Sequence, residues 1–304
     1  MRSIRNRLPD NRDDWTASEG SGSSFWMEAD SGYVSLSAQN GAAGYTNSAW
    51  GGTVGCDTLV SPGFLFGAAF SALSGKLKAD AADQASGHLD TYTLSLYAHG
   101  KSGRWSHAAV LSAGLAEADL DRTVSYGAGQ YTASGNTSGS TLAAGYELAF
   151  EAVCPDEESP ASFSPLASFS VTSVRLKNYD ETGAGNASLR VSGMERTFGT
   201  AGLGFRASLP IGSNLFNREA FLSLRMAVLQ DVGSRRGRSD VRLSDVESPA
   251  QRQKSAEVGS TGFEAGVGMT IPLEAQSSLF FDVQTDFRAH QSSVQGTVGY
   301  RYFF

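Results

Sequence analysis

Apolar and polar residues alternate with a period of two along this chain, in about a dozen separate runs. A strand points successive side chains to opposite faces, so each run reads as a strand with one oily and one wet face. The plainest runs are Tyr92-Leu94-Leu96-Ala98, Leu142-Ala144-Tyr146-Leu148-Phe150, Phe263-Ala265-Val267-Met269-Ile271 and Leu279-Phe281-Val283-Phe287. In the last of these, Asp282, Gln284, Asp286 and Arg288 hold the opposite face. Less regular runs start near Phe25, Trp50, Phe64, Trp105, Phe163, Phe198 and Ala220. The last eleven residues close the series: Val294, Val298, Tyr300, Tyr302 and Phe304 share one face, and Gln295, Thr297 and Arg301 share the other. A strand that ends on aromatics at its carboxylate suits the closing strand of an outer-membrane barrel, whose outer face meets lipid and whose tip lies in an aromatic girdle.

The connections add a second rhythm. Short ones fall at Ser61-Pro62-Gly63, His99 to Arg104, Pro210 to Arg218 and Pro272 to Ser277, with Pro155 to Ser162 slightly longer. Between them lie polar stretches of about 10 residues near Gln39, 12 near Lys76, 20 near Asp121, 20 near Lys177 and 25 from Asp231 to Glu257. Outer-membrane barrels keep short turns on the periplasmic side and long loops outside, and a closed bacterial barrel has an even strand number. Alternating connection length and an even count of about twelve agree with that plan. A soluble sandwich would explain many short strands but not the alternation. The expected fold is therefore all-β, a transmembrane antiparallel β-barrel of about 12 strands with a short N-terminal helical segment in its pore.

Composition narrows the reading without changing it. A length of 304 residues fits one large barrel, and Gly 35 with Pro 8 favours many turns. The net charge of -7 and the scatter of basic residues argue against a nucleic-acid partner. A mean hydropathy of -0.21 is low for a helical membrane protein, but strands that alternate lipid-facing and wet residues score low as well. The long uncharged run from Thr58 to Gly75 carries Pro62, Gly63 and Gly67 and reads as two strands around a turn. Cys56 and Cys154 lie about a hundred residues apart, and their spacing does not say whether they pair. No Cys/His cluster suggests a metal, and no glycine-rich phosphate loop suggests a nucleotide. Neither a metal nor another cofactor is expected. Met1 to Arg7 lacks the apolar core of a secretory signal peptide, so a membrane barrel would be expected to continue upstream.

If the apolar face meets lipid, the other lines a lumen. Glu147, Arg206, Arg225, Glu264, Asp282, Asp286, Arg288 and Arg301 fall on that face, four acids and four bases. Arg or Lys at mid-membrane on the lipid side would cost roughly 2–4 kcal/mol, so charge kept to one face marks that face as inward. The balance of sign favours ion pairs across a hydrated pore over strong ion selectivity. Residues 1–22 read as a leader within the pore and 23–304 as the barrel. In the leader Met1, Ile4 and Leu8 have helical spacing, Arg2, Arg5, Arg7 and Arg12 make it basic, and Pro9 ends or kinks a helix at Leu8.

With these residues in place the chain resembles the C-terminal translocator domain of autotransporters, the type V secretion proteins of Gram-negative bacteria. The likeness runs through Arg7-Leu8 and Asp13, Phe25-Trp26-Met27-Glu28, the Gly-x3-Gly-x-Asp-x-Leu of Gly51 to Leu59, and Gly145-Tyr146-Glu147. It continues in Pro165-Leu166-Ala167, Leu203-Gly204-Phe205-Arg206 and the closing Gly299 to Phe304. The resemblance implies a cell-outer-membrane barrel, acting as a monomer in lipid, whose pore holds the tether of an upstream passenger domain exported to the cell surface. It implies periplasmic chaperones and the β-barrel assembly machinery as partners, with Val298, Tyr300, Tyr302 and Phe304 as the assembly signal. Self-cleavage in some relatives uses an Asn pair on the pore helix; Asn6 and Asn11 stand apart here, so it is not carried over.

Two alternatives stay open at this stage. One is a porin or adhesive barrel acting through its long outer loops, although a porin has no need of a basic leader. The other is an outer-membrane hydrolase. His88 and Asp90 share a strand face, but no nucleophile stands at a telling spacing, so no catalytic residue is assigned.

Overall fold

A computed structural model of the chain describes residues 22–304, apart from 40–41, 80–84, 155–160, 214–218, 234–235, 245 and 275. The leader residues Arg2, Arg5, Arg7, Leu8 and Arg12 lie outside the described residues. Among the described residues there are sixteen strands and one 3-10 turn (Gly185–Ala187). The strands are β1 (Ser23–Leu36), β2 (Tyr45–Ser61), β3 (Phe64–Ala79), β4 (Ser86–Ser102), β5 (Trp105–Tyr126), β6 (Gly129–Phe150), β7 (Ser162–Leu176) and β8 (Tyr179–Asp180). They continue with β9 (Leu189–Val191), β10 (Met194–Ser213), β11 (Glu219–Gly233), β12 (Arg238–Leu243), β13 (Gln251–Lys254), β14 (Thr261–Glu274), β15 (Ser277–Arg288) and β16 (Gln291–Phe303).

Twelve of these form a closed antiparallel barrel in the order β1-β16-β15-β14-β11-β10-β7-β6-β5-β4-β3-β2. Each barrel strand pairs with the barrel strands before and after it in sequence. The first and last strands close the ring, from Ser24↔Phe303 to Leu36↔Gln291. This removes every unpaired edge, which a sheet in hydrocarbon cannot leave open. The expected barrel and its strand number are what the chain adopts.

The faces follow the alternation. On β1, Ser24, Trp26, Glu28 and Asp30 are buried, while Phe25 and Met27 point outward and are exposed. Around the ring Val54, Phe70, Leu94, Leu111, Leu142, Leu203, Val267 and Val298 stand exposed on the outer wall. The buried set instead includes Asp57, His99, Glu147, Arg225, Glu264 and Asp286. Such an apolar belt could not stay monomeric in water, and its area far exceeds the few hundred Å² of an ordinary surface patch. Oil outside and charge inside is the inverse of a soluble domain. The apolar packing inside is correspondingly small, a cluster of Trp26, Ala69 and Tyr97 with Leu65 and Val110 against it.

Tight turns mark one end. Pro62-Gly63 and Gly103-Arg104 join β2 to β3 and β4 to β5, and Gly63 and Gly103 take φ of 79° and 60°, a region open to glycine without steric cost. The other end departs from the expected loops. The polar stretch near Asp121 is not a 20-residue connection: β5 and β6 each run 22 residues and meet at Gly127-Ala128. Lys76 is likewise inside β3, and the connection begins only after Ala79. β4 pairs with β5 no further than Asp121, and β7 pairs with β6 no further than Gly139, so the hairpin tip projects beyond both neighbours. The connections after β7 and β11 contribute β8, β9, β12 and β13, a second sheet in the order β13-β12-β9-β8. Ser134 and Thr182 bridge it to the hairpin, and Arg122 donates to Glu181 at 2.6 Å.

Candidate functional site

The lumen is built from the inward positions of all twelve barrel strands, and its short-turn end is organised by two glycines. Gly55 on β2 and Gly67 on β3 face inward, and a Cβ at either would overlap a ring: the Trp26 indole at Gly55, the Tyr97 phenol at Gly67. The bare backbone lets both rings lie flat on the inner wall. Trp26 Nε1 then donates to the Tyr97 hydroxyl at 2.8 Å, which in turn donates to Asp57 Oδ2 at 2.7 Å. The other Asp57 oxygen accepts from the Ser24 hydroxyl. The Gly51 to Leu59 motif thus has a physical content: Gly55 makes room for an aromatic and Asp57 receives its partner's proton donor.

Farther along the lumen the charged candidates converge. Arg225 on β11 donates two bonds to Glu147 on β6, at 2.7 and 3.3 Å, and a third from Nε to Glu264 on β14 at 2.8 Å. Arg206 Nη1 lies 3.8 Å from the same Glu147. Glu147, Arg225 and Glu264 are 3, 7 and 1% exposed, so this is a desolvated network, and removing one member would strand a charge. Toward the long-connection end Arg288 bridges Asp286 at 3.1 Å and Asp231, which also accepts from Thr200. Asp282 and Arg301 share the lumen face but lie nearer the short turns; Arg301 pairs with Ser278 at the start of β15. Of the eight expected pore residues, four meet in one cluster and two in another.

Several inward charges escaped the reading of the sequence. Glu28 and Asp30 on β1 are buried, and Asp30 accepts from Thr53 and from Thr297 across the closing seam. Asp231 looked like the start of a loop. His99 is buried on the inner wall, 2.8 Å from Ser106. The signal was present in the step of two from Trp26 through Glu28 to Asp30. Beside the two charged clusters the lumen opens into a cavity of about 400 Å³ bordered by Tyr45, Arg196, Phe198, Asp231, Glu264 and Arg288.

The hydrolase alternative gains one residue and loses its geometry. His88 Nε2 lies 3.2 Å from Asp90, and Ser74 supplies a hydroxyl that the sequence spacing did not reveal, also 3.2 Å from Nε2. A relay needs the acid on one ring nitrogen and the nucleophile on the other. Here both contact the same nitrogen, so the ring cannot take the serine proton while the acid steadies it. Among the described residues no three His, Cys, Asp or Glu side chains are placed to hold a metal ion, and Cys56 and Cys154 are free thiols.

On the outer wall Val294, Val298, Tyr302 and Phe304 are exposed, with Tyr300 half-buried between them. The Autotransporter beta-domain family model matches residues 25–284 of this chain. The chain belongs to the autotransporter β-domain family. No curated protein is close enough in sequence to match it. The translocator domain of autotransporter NalP from Neisseria meningitidis has a similar fold, with a TM-score of 0.76 at 14% identity, covering 100% of this chain and 93% of that one. The β-domain of the Bordetella autotransporter BrkA follows with a TM-score of 0.64 at 17% identity, covering 93% of this chain and 100% of that one. The transport unit of AIDA-I from Escherichia coli gives 0.59 at 15%, covering 92% and 90%. This autotransporter β-domain is an outer-membrane translocator barrel of the Gram-negative type, and membership in the family implies a linked passenger domain.

Proposed function

We propose that this β-domain exports its passenger along the charged lumen, with residues 1–22 as the segment that threads the pore and joins barrel to passenger. The observation that carries this is the sealed ring with an inner wall centred on Arg225, Glu147 and Glu264. A polypeptide crossing lipid needs its backbone polar groups satisfied, and a wet inner wall provides that where hydrocarbon cannot. The inward acids and bases Glu147, Arg206, Arg225, Glu264, Asp282, Asp286, Arg288 and Arg301 act as pore-lining groups. Fixed charges of both signs give a translocating chain no lasting electrostatic trap. The basic leader, with Arg2, Arg5, Arg7 and Arg12, complements inner acids such as Glu28, Asp30 and Asp57.

Val298, Tyr300, Tyr302 and Phe304 serve as the assembly signal, offered on the lipid face of the last strand to chaperones and to the assembly machinery. The domain is not an enzyme: transport by a barrel needs no bond broken, and the Ser74, His88 and Asp90 group is wired through a single nitrogen. A reporter fused before Met1 behind a signal peptide should become protease-accessible on intact cells. A folded barrel whose reporter remained periplasmic would overturn the reading. His88→Ala should leave export and surface hydrolysis unchanged.

A further inference from the structure

The lipid-facing wall is not uniform. Across β3 to β7 and β10 a groove of about 620 Å³ lies on the outside of the barrel. Its floor is made by small side chains, Ala113, Ser140 and Ser173, and its walls by Leu94, Leu115 and Leu142. The groove ends at an ion pair, Arg175 Nη2 to Glu195 Oε2 at 2.9 Å, with the two side chains 67 and 60% exposed. Arg175 is the second-last residue of β7, Glu195 the second of β10, and they are paired in register. The pair therefore sits at the long-connection end of the β7–β10 ladder, on the outer rim of the barrel.

We propose that this groove is a binding site for one molecule of the outer-leaflet glycolipid, a phosphorylated sugar headgroup carrying acyl chains. Three features fit that occupant. The floor is made of small side chains set among leucines, so a straight acyl chain can lie against it in close van der Waals contact, the term that drives packing inside lipid. The rim offers a guanidinium, whose planar fork of donors matches a phosphate bidentately. The adjacent Glu195 accepts hydroxyls of a sugar, which a simple phosphodiester headgroup lacks. An Arg on the lipid-facing wall is costly at mid-membrane and falls to about 0–1 kcal/mol near the interface, so its place at the rim is consistent with headgroup contact. The site lies outside the lumen and stands independently of the export reading.

The test is native mass spectrometry of the full chain, folded in mixed micelles holding equal amounts of lipid A, phosphatidylglycerol and phosphatidylethanolamine. The expected result is one lipid A retained per barrel, in preference to either phospholipid. Ser140→Phe, which fills the floor, and Arg175→Ala, which removes the phosphate donor, should each lower retention by about tenfold. Ala201→Phe, on the outer wall away from the groove, should leave it unchanged. Mobility on gels before and after boiling checks the fold; if Ser140→Phe failed to fold, Arg175→Ala, at an exposed side chain, would decide alone. Equal retention of all three lipids, or undiminished lipid A on the Arg175 variant, would overturn the proposal.

Discussion

Gly67 shows how far one missing side chain shapes the inner wall. The Tyr97 ring occupies the space a Cβ would take, and that position lets its hydroxyl reach Asp57 and accept from Trp26. Gly67→Val should push the ring off the wall and cost about 1–3 kcal/mol, the range for overpacking. Pairing it with Tyr97→Ala should recover most of the overpacking term, although the hydrogen bonds stay lost. A urea titration of the folded barrel in detergent, followed by tryptophan fluorescence, reads both. Glu147 makes the opposite case. Glu147→Ala would leave Arg225 buried with Glu264 alone, at a cost of about 3–5 kcal/mol, whereas replacing Glu147, Arg225 and Glu264 together by Gln, Leu and Gln removes all three charges and should cost much less. Equal midpoints for the single and triple variants would refute the coupling. The inward direction of these residues was legible in the sequence, because alternation fixes the face of a strand. Their meeting was not: β6 and β11 are separated in the ring by β7 and β10, and no local pattern measures a distance across a lumen. Glu28 and Asp30 were overlooked because Ser31 and Gly32 blunt the contrast that makes alternation visible.

At the scale of elements, the same logic explains the misread hairpin. Within the membrane one face of a strand must be oily; beyond the rim both faces are wet, and the period-two signal fades although the hydrogen-bond ladder continues. Asp121-Arg122-Thr123 therefore looks like a loop while pairing with Thr132-Ala133-Ser134. Stacked Tyr126 and Tyr131, with centroids 4.6 Å apart, pin the tip, and the Arg122–Glu181 pair braces the outer sheet against the hairpin. Glu181 also accepts from the backbone of Leu189, so it ties β9 to the brace. Arg122→Ala should leave barrel mobility on gels unchanged while protease cuts within 177–193 appear several-fold faster. Tyr179 adds a pH dependence. Burial first, and then the charge of Glu181, raise its pKa above the usual 10.0. The folded sheet thus keeps a proton that an opened one releases. Its stabilisation is complete below pH 10 and is lost as pH climbs from there toward the folded value. Cleavage by an alkaline-active protease should accelerate above pH 10, and Tyr179→Phe should remove that acceleration. A flat pH profile in the parent chain would count against the assignment.

For the whole molecule, closure is the property on which lipid, lumen and export all depend, and it was the most legible from the sequence. An even strand number follows from a ring whose first strand begins and whose last strand ends on the same side, and short turns at one end with an aromatic last strand fit the same plan. What the pattern could not supply is the strength of the seam. β1 and β16 pair from Ser24↔Phe303 to Leu36↔Gln291 without a register break, nearly the length of the β1–β2 ladder beside it. Thr297 further bonds Asp30 across it at 2.8 Å. A seam so paired should behave as an ordinary rung of the sheet once folding is complete. Ala29 and Val298 are partners in it. Directly opposed antiparallel residues lie about 4.5–5.5 Å apart at Cα, inside the range a disulfide spans. In a chain freed of Cys56 and Cys154, Ala29→Cys with Val298→Cys should therefore oxidise readily in the folded barrel. The bond closes a loop of more than a hundred residues, so the chain-entropy model gives a gain of about 5 kcal/mol. The readouts are a higher unfolding midpoint under oxidising conditions, reversed by reductant, and an unchanged single-channel conductance. If the pair failed to oxidise, or if oxidation altered conductance, the seam would have to open in the resting state. Lipid exclusion and a fixed lumen would then both require a different structural account.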